Sequence, residues 1–222
     1  VALDVPELDR AVDLARRLAG EVGGYKVGLE LFAAHGPAAV QQVAPFGPVF
    51  LDLKLHDIPT TVGRAAQQLG RLGVAMLTVH ASGGRAMVAA AVEGLAAGSR
   101  DTTVPDAIVL AVTALTSLGE DDLGEVGLGA ADAAVGRLAR LAVAAGAPGL
   151  VCAPRDLPRV RREVGPGLVV VTPGVRLRDA SHDDHARAAT PGAALAAGAT
   201  HLVVGRPITR AADPVAAARE LL

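Results

Sequence analysis

The chain has 222 residues, 51% of them hydrophobic and 20% charged, and 21 Lys plus Arg against 23 Asp plus Glu give a formal charge of −2, so no global basic field exists to hold nucleic acid or an anionic membrane. Three Phe, one Tyr and no Trp nearly exclude aromatic stacking on single-stranded nucleic acid, and the lone Cys152 cannot close an internal disulfide, which suits a reducing cytoplasm. No stretch reaches the roughly 18 uninterrupted apolar residues of a membrane span, and Val1-Ala2-Leu3-Asp4-Val5, followed at once by Glu7, Asp9 and Arg10, lacks the basic start of a secretory leader.

In chain order, short β-branched or Leu-rich runs fall at Val1–Val5, Tyr25–Leu29, Val49–Leu53, Ala75–Val79, Ile108–Val112, Gly149–Cys152, Leu168–Thr172 and His201–Val204, eight in all. Between them lie Ala-rich stretches with helical spacing, such as Leu8, Val12, Leu14, Ala15 and Leu18, or Val135, Leu138, Leu141 and Ala142. Strands alternating with helices are parallel, because each crossover helix returns the chain to the same edge. Two architectures accommodate this, a closed (β/α)8 barrel and an open doubly wound sheet. The strand ends are spaced roughly 20 to 40 residues apart, so no unit is large enough to stand as a separate domain. No Gly-x-Gly-x-x-Gly follows the first run, where a dinucleotide fold needs it for the pyrophosphate. The expectation is a single (β/α)8 barrel catalytic domain over residues 1–222, its active face built from the loops that follow the strands. The longest of these are a non-periodic stretch, Thr116–Gly129, and a polar one, Pro173–Thr190.

The most informative segment is Phe50-Leu51-Asp52-Leu53-Lys54-Leu55-His56-Asp57-Ile58-Pro59. Strand alternation sends Asp52 and Lys54 one way and Leu51, Leu53 and Leu55 the other, toward the helices. Charges facing a barrel axis cost several kcal/mol unless paired. Taken alone, the pair also reads as a structural ion pair closing the barrel mouth. The neighbouring strands favour a site: Asp4 ends the first run, and Lys26 shares an alternating face with Gly28 in the second. Three adjacent strands thus send acid, base, acid and base to one spot, which serves an electrostatic site better than a core.

A second cluster, Val203-Val204-Gly205-Arg206-Pro207-Ile208, is a strand running into a helix. Pro207 suits a first helical position, and the amides around Gly205 and Arg206 form an anion site, after the last strand where barrels recurrently hold phosphate. Arg176 is a second anion contact or a solvated loop arginine, and Thr116-Ser117 is equally a helix cap or a turn. His80 reads as a supporting histidine and Cys152 as a buried structural thiol. Ser181-His182-Asp183-Asp184-His185-Ala186-Arg187 admits a metal reading, although polar residues clustered in a long loop are usually solvated.

The run Asp52-Leu53-Lys54-Leu55-His56-Asp57-Ile58-Pro59 resembles the orotidine 5′-phosphate decarboxylases, and its His-Asp-Ile-Pro form resembles their bacterial branch. Ala2-Leu3-Asp4, Lys26-Val27-Gly28, Val79-His80-Ala81, Leu115-Thr116-Ser117, Thr172-Pro173-Gly174-Val175-Arg176 and Val204-Gly205-Arg206-Pro207-Ile208 continue the resemblance in matching order. It implies removal of carbon dioxide from orotidine 5′-monophosphate to give UMP in de novo pyrimidine nucleotide synthesis, with no metal and no organic cofactor. It further implies a catalytic network of Lys26, Asp52, Lys54 and Asp57, the last contributed by the other subunit of a homodimer together with Ile58 and Thr61. In that scheme Lys54 stabilises and protonates the C6 carbanion, Asp52 lies by the substrate carboxylate, and Lys26 orients the network and touches the ribose. Asp4 binds ribose hydroxyls, Thr116 meets the pyrimidine edge, Pro173 walls the base pocket, and Arg176, Gly205 and Arg206 hold phosphate. The sequence departs from the resemblance at His185, where the family usually has a glutamine bridging base and phosphate. A histidine donates one hydrogen bond there but cannot copy both amide functions. A cytoplasmic enzyme with a small-molecule substrate, and neither nucleic acid nor membrane as partner, completes the expectation.

Other readings remain. Magnesium-dependent phosphate-sugar decarboxylases and aldol-type synthases share the barrel and Asp-x-Lys-x-x-Asp, tend to lack the Ile-Pro continuation, and use an acidic ligand near the second strand end, where Glu30 falls here. A non-enzymatic nucleotide-binding barrel and a Schiff-base aldolase using Lys54 are the alternatives from other classes.

Overall fold

The computed structural model describes residues 1–175 and 189–221. Seven parallel strands, β1 (Tyr25–Gly28), β2 (Val49–Leu55), β3 (Met76–His80), β4 (Ile108–Val112), β5 (Gly149–Val151), β6 (Val169–Pro173) and β7 (His201–Val203), form one sheet in sequence order. Helices separate them throughout. The expected boundaries hold to within two residues, with one exception.

The exception is the first run. Val1–Val5 supplies a single parallel bridge, Ala2 to Lys26, in place of a full strand. Its backbone nevertheless faces both sheet edges: Lys26 N–H donates to Val1 at 2.7 Å and Leu3 N–H to Lys26 at 3.0 Å, while Ala2 N–H donates to Val204 at 2.8 Å. The segment therefore stitches β1 to the end of β7 and closes the barrel in the eighth position. Pairing stops early because the chain bends at Pro6, which has no N–H to extend the ladder.

Alternate residues sort into two apolar layers, as a period of two requires. Phe50, Met76, Ile108, Leu110, Val151 and Val171 fill the barrel interior. Their strand neighbours Leu51, Leu77, Val109, Leu150 and Val170 lie in the larger layer beneath the helices. With so few aromatics, the interior is filled by aliphatic side chains set against small ones. A Cβ on Gly149 would come within 2.4 Å of Leu110 Cδ2.

The helix Pro59–Gly70, which leads away from the charged strand, packs tightly on Arg85–Ser99. Gly94 allows the approach: a Cβ there would stand 2.1 Å from the carbonyl oxygen of Gly63. Within the stretch read as non-periodic, Thr116–Gly129, a helix runs over Glu120–Glu125. Six residues are too few to display a 3.6-residue period. The helix is marked by acids in its first turn, where Glu120, Asp121 and Asp122 meet the positive end of the dipole, and Asp122 accepts from the Gly119 N–H at 2.8 Å. No helix among the described residues is long and apolar enough to cross a membrane. A largely apolar cavity of about 540 Å³ is lined by Gly24, Pro48, Ala75 and His201 near the strand starts and extends to Lys26 and Val204.

Candidate active site

Asp52 stands opposite Gly28 in the β1–β2 register. The glycine matters for what it leaves out: a Cβ at Gly28 would lie 2.9 Å from Asp4 Oδ1 and 3.0 Å from Lys26 Nζ. Those two groups meet over that space at 2.8 Å. Lys26 Nζ lies 3.6 Å from Asp52 Oδ2, and Lys54 Nζ donates to Asp52 Oδ1 at 2.8 Å. The strand ends thus carry a continuous chain of alternating charge, Asp4, Lys26, Asp52 and Lys54. Exposure rises along both arms from its centre: Asp52 and Lys26 side chains are 12% exposed, Lys54 35% and Asp4 58%.

The expected alternation of β2 survives, since Leu51, Leu53 and Leu55 all pack into the layer beneath the helices. Its regularity does not. The β2–β3 register passes from Leu51 opposite Leu77 to Leu55 opposite Val79, a bulge of two extra residues on β2. Within it Lys54 has φ +52°, the one positive φ outside glycine among the described residues. Thr78, fully buried on β3, sits against the bulge; its hydroxyl donates to Asp52 Oδ1 at 2.9 Å and accepts from the Lys54 N–H at 2.9 Å. Sequence reasoning missed Thr78. Its signal was a hydroxyl inside the apolar run Met76-Leu77-Thr78-Val79, on the inward face shared with His80.

Burial pushes the Asp52 carboxyl up, but the Lys54 hydrogen bond, the Lys26 and Lys54 charges and the Thr78 hydroxyl outweigh it and hold Asp52 below its ordinary range. Asp52 is therefore ionised at neutral pH. On His80 burial dominates, and His56 and Lys54 add to it, so its pKa is lowered and the ring is neutral at pH 7. The two imidazoles are 5.3 Å apart, centroid to centroid, which fits a supporting histidine.

Asp57 is not brought into the charged chain of its own protomer. It is exposed, it makes no ion pair among the described residues, and its Oδ1 accepts from the Ile58 N–H at 2.6 Å. Every residue from His56 to Thr61 is exposed, with Ile58 at 66%. Thr116 lies exposed on the turn after β4, and Pro173 is half-buried at the end of β6. Gly205 packs beside the first segment, where a Cβ would stand 3.5 Å from Ala2 Cβ and 3.8 Å from Asp4 Oδ2. Arg206 is exposed and opens a helix of four residues, Arg206–Thr209. One turn sums few peptide dipoles, so an anion there would meet chiefly the local amides and the guanidinium. Arg176 and His185, with the Ser181–Arg187 motif, lie outside the described residues. Glu30 is exposed in the first turn of the helix Leu29–His35, outside the charged chain. Cys152 is fully buried, and burial, with Asp156 adding, pushes its thiol up to about 12, as befits an inert structural residue. Among the described residues, no three His, Cys, Asp or Glu side chains gather as a metal-binding group.

The family model described as "Orotidine 5'-phosphate decarboxylase / HUMPS family" matches residues 1–221. The chain belongs to this family. It is 56% identical over 222 residues to a protein of Anaeromyxobacter sp. (strain K) named orotidine 5'-phosphate decarboxylase, covering 99% of this chain and 94% of that one. A Thermobifida fusca (strain YX) protein of the same name is 54% identical, over 100% of this chain and 92% of its own. Among solved structures, orotidine 5'-phosphate decarboxylase from Lactobacillus acidophilus superposes with a TM-score of 0.85 at 36% identity, covering 99% of this chain and 95% of that one. The fold is accordingly the (β/α)8 barrel of the orotidine 5′-phosphate decarboxylase / HUMPS family. Within that barrel the described charged residues stand at consecutive strand ends, and the family match runs through both the closing segment at Ala2 and β7.

Proposed function

We propose that the protein converts orotidine 5′-monophosphate to UMP and carbon dioxide, the step that yields UMP in pyrimidine nucleotide synthesis. The observation that carries this reading is the Asp4–Lys26–Asp52–Lys54 chain at the strand ends, in a sequence 56% identical to a protein named for that activity. Breaking the C6–carboxylate bond leaves its electron pair on C6, in an orbital with no adjacent carbonyl to delocalise it. The charge stays local, and fixed opposite charge beside C6 is the direct remedy. The Lys54 ammonium supplies that charge and then its proton to C6; the neutral amine left behind is reprotonated from solvent. Asp52, ionised and 2.8 Å from Lys54 Nζ, holds the ammonium charged until the transfer and repels the substrate carboxylate in the ground state. No metal or organic cofactor takes part in this scheme.

Lys26, tied to both Asp52 and Asp4, orients the network and meets the ribose, whose hydroxyls the exposed Asp4 carboxylate accepts. Thr116 reads the pyrimidine edge and Pro173 walls the base. Gly205, Arg206 and Arg176 hold the phosphate, with His185 in the place of a bridging amide. The exposure of Asp57, Ile58 and Thr61 in one protomer supports a homodimer in which these residues complete the partner's site. Residues 1–222 then act as one catalytic domain, without nucleic-acid or membrane partners. The test follows the loss of orotidylate absorbance: the wild-type protein turns over, and Lys54→Ala loses at least about 10⁴-fold in kcat. A wild-type protein inert toward orotidylate, or a fully active Lys54→Ala, overturns the reading.

A further inference from the structure

We infer that Thr78 is a positioning residue: its hydroxyl ties Asp52 to the backbone of Lys54, forms the β2 bulge, and so aims the Lys54 ammonium. The inference rests on the decarboxylase reading for its kinetic consequences, while its geometric part stands on the fold alone.

A regular strand would keep Lys54 at negative φ and give its N–H to a neighbouring carbonyl. Here the residue sits at φ +52° inside a two-residue bulge, and its N–H goes to the Thr78 side chain at 2.9 Å. Non-glycine residues occupy that region only when their surroundings hold them there, and bulges recur where a strand must redirect a side chain. Thr78 is the holder. The Lys54 N–H can only donate and an ionised Asp52 can only accept, so the hydroxyl proton is committed to Asp52 Oδ1 at 2.9 Å. The same oxygen takes the Lys54 ammonium at 2.8 Å. One hydroxyl therefore fixes the backbone and the carboxylate that together define where the ammonium points. Full burial at 0% exposure leaves no water to replace it.

Two substitutions separate the hydroxyl from its packing. Thr78→Val keeps the shape and removes both hydrogen bonds; Thr78→Ser keeps both and removes a methyl group. We expect Thr78→Val to lose about 10- to 100-fold in kcat with KM changed less than about threefold, since the fully buried Thr78 acts only through Asp52 and Lys54. The acid limb of kcat/KM should also move to higher pH, because Asp52 loses a donor to its charged form. The charged and titratable groups facing Asp52, namely Lys26 and Asp4 on one side, Lys54 on its own strand and His80 on β3, are unchanged in both variants. Thr78→Ser should stay within about threefold of wild type, with its acid limb in place.

Wild-type kcat and acid limb in Thr78→Val overturn the inference, as does a loss of tenfold or more in Thr78→Ser, which decides the question even if the valine variant does not fold. A crystal structure of Thr78→Val tests the geometry without turnover: Lys54 should leave positive φ and its contact with Asp52 should lengthen, and an unchanged Lys54 refutes the positioning role. A wild-type protein that binds but does not decarboxylate orotidylate would instead refute the proposed function, leaving the crystallographic result to judge Thr78.

Discussion

Asp52→Asn removes the central charge of the site while preserving its shape. The amide oxygen can still accept from Thr78 and Lys54, so the change is chiefly electrostatic. Asp52 faces ammonium groups at 2.8 and 3.6 Å, and at an effective dielectric of about 20 each attraction is worth roughly 4 to 6 kcal/mol before desolvation. Breaking a well-buried pair by removing one partner costs about 3 to 5 kcal/mol. Two features lower that figure: Lys26 retains Asp4 at 2.8 Å, and Lys54, 35% exposed, recovers some hydration. We expect a net destabilisation of about 2 to 3 kcal/mol at pH 7. Urea denaturation followed by far-ultraviolet circular dichroism measures it; with no Trp and one buried Tyr, fluorescence is a poor probe. The pH dependence supplies the sign. The folded Asp52 carboxyl lies below its ordinary range, so its contribution is complete above the unfolded value of about 3.9 and is lost as pH falls through the folded one. The gap between the two proteins should stay constant from pH 7 to pH 5 and begin to close only below about pH 4. Equal stability at pH 7, or a gap that closes already between pH 7 and 5, refutes the reasoning.

Two further outcomes are expected. Mixing inactive Lys54→Ala with inactive Asp57→Ala should restore part of the activity through hybrid dimers, because one of the two shared sites then holds both native residues; no recovery from freely exchanging subunits would place Asp57 outside the neighbour's site. Cys152, buried and pushed up to about 12, should resist iodoacetamide at pH 8 in the folded protein and react after unfolding in urea, as mass spectrometry reads; rapid alkylation of the native chain would contradict its burial.

What the sequence disclosed and what it withheld divide along a physical line. Strand runs, helical spacing and the inward parity of Lys26, Asp52 and Lys54 depend on neighbours a few residues away, and all were legible. The bulge at Lys54 was not, because it is imposed by a hydroxyl 24 residues further along the chain, on another strand. Nothing local to Leu53-Lys54-Leu55 calls for a positive φ. The shortening of the first strand depended on Pro6 and on how two distant edges share Ala2. The helix at Glu120–Glu125 was too brief for its period to register. Asp57 marks a different boundary: its proposed role came only through resemblance, since in its own chain the residue is merely exposed.

The same division governs the electrostatics. The formal charge of −2 gave no hint of attraction for an anion, and the chain Asp4–Lys26–Asp52–Lys54 does not alter that, because its two acids and two bases cancel. On the proposed reading the substrate carries a carboxylate and a phosphate, and the carboxylate must settle beside the ionised Asp52. A neutral cluster cannot draw such a ligand in by its net field. The binding energy must come from the far end, where the exposed Arg206 follows β7, and be used to bring the carboxylate against Asp52. Phosphate contacts and the charged chain are then parts of one device: removing the Arg206 guanidinium should lower kcat as well as raise KM, although Arg206 never touches the reacting carbon.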